Sequence, residues 1–85
     1  MRNDVIYLLV GYDPDTERVS YRQEIPRVKL GSVLSLVSPD ADDPDALDSY
    51  PLDYSVAKDI MGYASMPFGD KAYEYFFESR ASATA

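Results

Sequence analysis

The pattern of apolar and polar positions divides the chain into five regular segments. Val5-Ile6-Tyr7-Leu8-Leu9-Val10 is apolar at both parities and rich in β-branched and aromatic residues. That pattern predicts a central strand covered on both faces. Asp13-Pro14-Asp15-Thr16 reads as a turn, with proline preset for its second position. The next segment, Arg18 to Ile25, alternates: Val19, Tyr21, Gln23 and Ile25 share one face, and Ser20, Arg22 and Glu24 lie opposite. Such alternation marks a half-exposed strand, and the first two strands form a hairpin. Pro26 ends it. Leu30, Val33, Leu34 and Val37 then recur at helical spacing, which predicts a short helix closed by Pro39. Gly31 costs that helix up to about 1 kcal/mol relative to alanine, so it depends on packing.

A second helix follows Asp53, a residue type suited to capping, and carries Val56, Ile60 and Tyr63 on one side with Ala57 and Met61 beside them. Phe68-Gly69-Asp70 reads as a turn. In the last segment Tyr73, Tyr75 and Phe77 alternate with Glu74, Phe76 and Glu78, which favours a strand over a helix. The order is β-β-α-α-β. The expected fold is α+β, a three-stranded antiparallel sheet of order 2-1-3 with two short helices on one face. Residues 1–79 form one domain and 80–85 a flexible C-terminal tail. Tyr7, Tyr21 and Tyr75 are expected in the core, Tyr50 and Tyr54 at the surface. Both outer strands are edges, so a homodimer across a two-fold axis is possible, although the charges of Arg22 and Glu24 argue against free use of that edge.

Between the helices lies a stretch of another kind, Val37 to Tyr54. It holds six of the fifteen acidic residues and three of the six prolines, and no basic residue. The whole chain has 85 residues and a formal net charge of −7, which repels nucleic acid and anionic membranes and attracts basic partners. The same charge also serves plain solubility. Cysteine and histidine are both absent, which removes disulfides, thiolate metal sites, the commonest general base and the commonest zinc ligand. The glycines at 11, 31, 62 and 69 do not form a phosphate loop. Paired carboxylates do acid–base chemistry only in a cleft, which so small a sheet rarely builds. The expectation is therefore a protein that is not an enzyme and takes no cofactor. The first apolar run is too short for a membrane span and has no signal-peptide cleavage site, so the expected location is cytoplasmic.

Asp40, Asp42, Asp43, Asp45 and Asp48 are hard oxygen ligands of the kind calcium and magnesium take. Counted from Asp40 as the first position of a helix–loop–helix calcium loop, the fifth position is Pro44, the sixth Asp45 and the twelfth Pro51. These are the wrong residues for the turn and the bidentate ligand, so no metal is expected. Two readings lead, a solvated connector and a protein-binding surface in which carboxylates steer a basic partner and Tyr50 anchors it, with a divalent-ion-responsive module as a third hypothesis. Asp40, Asp42, Asp43 and Asp45 can stand in for the phosphates of a nucleic acid.

The run Ile25-Pro26 into the Leu30-to-Val37 helix, then Asp42-Asp43-Pro44, Asp48-Ser49-Tyr50-Pro51-Leu52 and the aromatic Tyr73-to-Glu78 segment, resembles a group of small acidic bacterial proteins. These are similar in chain order to the immunity proteins that accompany contact-dependent or secreted toxins. Gly31-Ser32 in the first helix and the extension from Ser79 to Ala85 depart from that pattern. The resemblance implies a stoichiometric inhibitor that covers a toxin's active site, with Asp42, Asp43, Asp45, Asp48 and Tyr50 as contacts. The expected partner is a basic toxin domain, a nuclease by preference, with no direct contact to nucleic acid or membrane. The alternative is an acidic nucleic-acid mimic or regulatory adaptor that binds a basic host protein.

Overall fold

The computed structural model of the protein describes residues 4–82. The elements are β1 (Val5–Tyr12), β2 (Val19–Glu24), α1 (Arg27–Val37), β3 (Tyr50–Leu52), α2 (Tyr54–Tyr63) and β4 (Glu74–Ala81). The sheet is antiparallel with order β2-β1-β4-β3. The fold is thus α+β, but the sheet has four strands where the sequence pattern predicts three. The additional strand is Tyr50-Pro51-Leu52, paired with Phe77, Phe76 and Tyr75 of β4. A three-residue strand centred on a proline carries no periodicity to detect. Proline is tolerated there because β3 is an edge, where a missing amide donor breaks no ladder. The three anticipated strands keep their expected neighbours, with the last beside the first. That last strand continues through Arg80 and Ala81, which pair with Ile6 and Val5, so these two residues belong to the sheet and not to a tail. Residues 83–85 of the expected tail lie outside the described residues.

Side chains alternate across a strand, so β1 serves two environments. Val5, Tyr7 and Leu9 face the helices and pack with Leu30 and Val33 of α1, Ala57, Ile60 and Met61 of α2, and Tyr75 and Phe77 of β4. Burying an aliphatic or aromatic side chain of this size contributes about 1.5–3 kcal/mol, and the Tyr7 and Phe77 rings stack with centroids 5.5 Å apart. Leu8 and Val10 point the other way, where no helix packs among the described residues. They are buried nonetheless, at 2% and 1% exposure. Their cross-strand neighbours are Glu24 and Glu78 for Leu8, and Arg22 and Phe76 for Val10. Long flanking side chains thus roof the aliphatic strip without a second layer.

α1 starts directly after Pro26, whose carbonyl accepts from the Lys29 amide at 2.9 Å, and so has a turn more than the Leu30–Val37 spacing implies. It ends at Ser38, which adopts a left-handed φ of 55° and donates its amide to the Leu34 carbonyl. Asp53 occupies the N-cap of α2, as expected, but its side chain makes no capping hydrogen bond. On α2 the buried residues are Ala57, Ile60 and Met61; Tyr63, expected on that face, is exposed. Tyr63 instead ties the two helices together: its hydroxyl donates to Ser32 Oγ at 3.1 Å, and Lys29 Nζ donates to its carbonyl at 2.8 Å. Among the described residues, no helix is long and apolar enough to cross a membrane.

Candidate functional site

The acidic stretch leaves α1 through Ser38 and Pro39 and returns to the sheet at Tyr50. Two backbone turns fold it, from the Asp43 amide to the Asp40 carbonyl and from the Ala46 amide to the Asp43 carbonyl, both at 3.0 Å. Asp43 organises the second half of the loop. One carboxylate oxygen accepts the Leu47 amide at 2.9 Å; the other accepts the Asp48 amide at 3.1 Å and the Tyr50 hydroxyl at 2.5 Å. The Tyr50 hydroxyl in turn accepts the Asp40 amide at 3.3 Å, which closes a ring through the start, middle and end of the loop.

The electrostatics come from this geometry. The Tyr50 hydroxyl, with help from the two amides, holds the Asp43 carboxyl below its ordinary value. The same hydrogen bond, with smaller help from desolvation, pushes the Tyr50 hydroxyl up to about 12. Hydrogen bonds that stabilise a carboxylate lower its pKa, and a phenol beside a carboxylate resists becoming a second anion.

Further anchors fasten the loop to the domain. Tyr7 donates its hydroxyl to the Asp45 carbonyl at 2.5 Å, and Ser79 donates its hydroxyl to the Leu47 carbonyl at 2.7 Å. Between them Ala46 is fully buried in the hydrophobic core, with a φ of 52°. A left-handed conformation is costly for a residue with a Cβ, and here the costs are offset by burial of the methyl group and by the two flanking anchors.

The six candidate residues therefore fall into two sets. Asp40, Asp42 and Asp48 are exposed, and Asp45 is half-buried. These four present carboxylates around one loop. Asp43 and Tyr50, both half-buried, are engaged with each other and with loop amides, so their polar atoms hold the loop's shape. Tyr50 is also packed against the core, as are Tyr21 and Tyr54; Tyr7 and Tyr75 are fully core.

A second carboxylate feature is not anticipated from the sequence. Glu78, on the face of the sheet away from the helices, is buried at 7% exposure. It accepts the Tyr12 hydroxyl at 2.9 Å and pairs with Arg80 at 2.6 Å. The hydrogen bond from Tyr12 is the main reason that hydroxyl is shifted up. The available signal is the shared parity of Glu78 and Arg80 on β4, but the register that brings Tyr12 to them is not written in either strand alone. Its partners come from the same sheet, Tyr12 half-buried and Arg80 exposed, and Glu78 lies across from Leu8.

No curated protein and no solved structure matches the chain. A family model does, over residues 6–78, a span that takes in both helices, the whole acidic loop and most of every strand, and the chain accordingly belongs to the family described as Domain of unknown function (DUF7683).

Proposed function

We propose that the chain is an immunity-type inhibitor, acting in the bacterial cytoplasm, whose acidic loop docks into the basic active-site cleft of a cognate toxin. A nuclease is the toxin class whose basic cleft suits carboxylates that stand in for phosphates. The observation that supports this most is the pinning of the loop: its shape is set before any partner arrives, while Asp40, Asp42 and Asp48 stay exposed. Carboxylates on a preorganised loop steer a basic partner during the encounter, and little entropy is lost when it docks. Asp45 completes the acidic surface. Asp43 and Tyr50 act through the loop they hold, and not by direct contact.

The test is a low-salt pull-down from the native lysate with the wild type and with D40N/D42N/D48N, a triple variant that leaves the Asp43–Tyr50 pair intact. The expected result is one basic partner that the triple variant loses and whose nucleic-acid cleavage the wild type titrates to zero at one equivalent. Its association rate should fall steeply with added salt for the wild type and weakly for the variant. Recovery of the same partner by both proteins overturns the assignment of the loop. A basic partner without toxic activity, displaced by nucleic acid, turns the reading into that of a nucleic-acid mimic.

A further inference from the structure

Among the described residues, β2 has no neighbour on its outer side. The Ile25 amide donates to the Tyr7 carbonyl at 2.8 Å, and Gln23 and Tyr21 lie opposite Leu9 and Gly11. Odd-numbered residues at this end of β2 therefore turn their amide and carbonyl groups toward β1. Arg22 and Glu24 turn theirs outward, in the pattern an added antiparallel strand requires. The side chains of Arg22 and Glu24 are exposed on the sheet face that no helix covers, and neither makes a hydrogen bond or ion pair among the described residues.

We propose that the β2 edge pairs with the β2 edge of a second copy of this chain, about a two-fold axis through Gln23. Charge selects that register. Pairing about Arg22 sets arginine against arginine, and pairing about Glu24 sets glutamate against glutamate. Pairing about Tyr21 brings Ser20 of each copy into the ladder. Ser20 is the extra residue of a bulge, because Gly11 lies opposite Tyr21 while Tyr12 lies opposite Val19. A bulge bends and twists its strand, so that register is spoiled in both copies at once. Pairing about Gln23 sets Arg22 opposite Glu24 of the second copy, twice by symmetry, and confines the ladder to the regular segment from Tyr21 to Ile25. Opposite charges directly across a ladder stabilise it, and like charges destabilise it. The second copy is favoured over an unrelated strand because the edge is complementary to itself. The interface is distinct from the acidic loop, which leads into β3 at the opposite edge of the sheet.

The test uses the full chain and sedimentation equilibrium from about 10 µM to about 1 mM, the range that brackets a weak dimer. The wild type is expected to dimerise. R22E and E24R should each weaken the dimer at least about tenfold, since both turn two attractive cross-strand pairs repulsive. R22E/E24R should restore it, because the exchanged charges complement each other in this register. A Q23C variant adds a geometric readout, since the chain has no other cysteine. Residues opposed in a non-hydrogen-bonded pair lie about 4.5 Å apart at Cα, within the range a disulfide spans, so Q23C should oxidise to a covalent dimer. R22C should not, as the two Arg22 positions are separated by about 8 Å. Circular dichroism checks that each variant is folded. A wild type monomeric throughout the range overturns the proposal. So does a dimer indifferent to R22E, a double exchange that fails to restore it, or R22C cross-linking as readily as Q23C.

Discussion

Two irregular segments of this molecule are held in the same way by different chemistry. The acidic loop hangs on tyrosine hydroxyls, Tyr7 to the Asp45 carbonyl and Tyr50 to the Asp43 carboxylate. The segment after α2 does too: Tyr21 donates to the Pro67 carbonyl and Tyr75 to the Asp70 carbonyl, each at 2.7 Å, and Tyr54 to the Gly69 carbonyl at 3.3 Å. Tyrosine suits a domain this small, since one residue fills the core with its ring and fixes a passing chain with its hydroxyl. The difference is the acceptor. The segment around Gly69 is tied by these tyrosines through neutral carbonyls and closed in by rings. The acidic loop has neutral carbonyl anchors too, at Asp45 and Leu47, but its second half is gathered around one ionised side chain, Asp43. Both segments are packed against the core; what the acidic loop adds is a charged acceptor, and the exposed carboxylates are on that loop.

The largest expected effect is at the packed segment. A Cβ on Gly69 would run into the Tyr75 hydroxyl and approach the Tyr21 ring at 2.7 Å. Tyr75 is also wedged against Gly11, where a Cβ would meet its ring at 2.8 Å, so it has nowhere to retreat. G69A should cost about 1–3 kcal/mol, as overpacking does, read as a lower urea midpoint with an unchanged slope. A neutral result would mean that rings alone do not fix this segment.

D43N should act on the other segment and leave the core alone. Protease cleavage between residues 40 and 48 should accelerate, with global melting affected less than by G69A. Phenolate absorbance gives a sharper view. Tyr50 and Tyr75 are both pushed up to about 12, the first mainly by Asp43 and the second mainly by burial. In D43N the Tyr50 midpoint should fall toward its ordinary 10.0 while that of Tyr75 stays in place. If both move, the two segments are coupled and the contrast between them fails.

Acid should separate the segments without a mutation. The Asp43 carboxyl is lowered in the folded chain, so its contribution is fully present above its ordinary value of 3.8 and is lost as pH falls through the lowered one. Amide exchange at Leu47 and Asp48 should lose protection in that acid window before Met66 and Gly69 do. Alkali works the opposite way. Tyr50 and Tyr75 are raised, so their contribution is complete below pH 10 and disappears as pH rises through about 12, one in each segment.

The smallest effect is expected at Ala46. Glycine would relieve a left-handed backbone that costs alanine about 1 kcal/mol and would give up a buried methyl group worth about 0.8 kcal/mol. A46G should therefore change stability by less than about 0.5 kcal/mol, a figure read from the same urea midpoints. A larger loss would show that the buried Ala46 methyl group holds the loop more than its left-handed backbone costs.

These contrasts also explain what could be read from the sequence. β1 announces itself because Val5 to Val10 is apolar at both parities, and both faces are indeed buried, one by helices and one by neighbouring side chains. α1 is legible through Leu30 and Val33, and β4 through Tyr75 and Phe77, because burial enforces the period. β3 is not legible, since three residues with a proline among them have no period and are strand only because β4 lies beside them. In the loop, the density of aspartates is visible but their division of labour is not. Nothing local separates Asp43 from Asp42; only the return of Tyr50 in β3 selects Asp43 as the acceptor. Ala46 is hidden for the same reason, as its burial depends on Tyr7 and Ser79 from distant strands.

Pro51 gives the sheet one further property. It stands in the middle of the outer strand β3 and has no amide hydrogen to offer, whereas the outer side of β2 keeps its full set of donors and acceptors. In the language of polymer growth, the domain is monofunctional. It has one end that can react and one that is capped. A unit of that kind can join once, to a copy of itself or to another strand, and growth then stops. The short, proline-centred strand is a chain terminator, and it allows the opposite edge to remain open without the sheet becoming a seed for fibres.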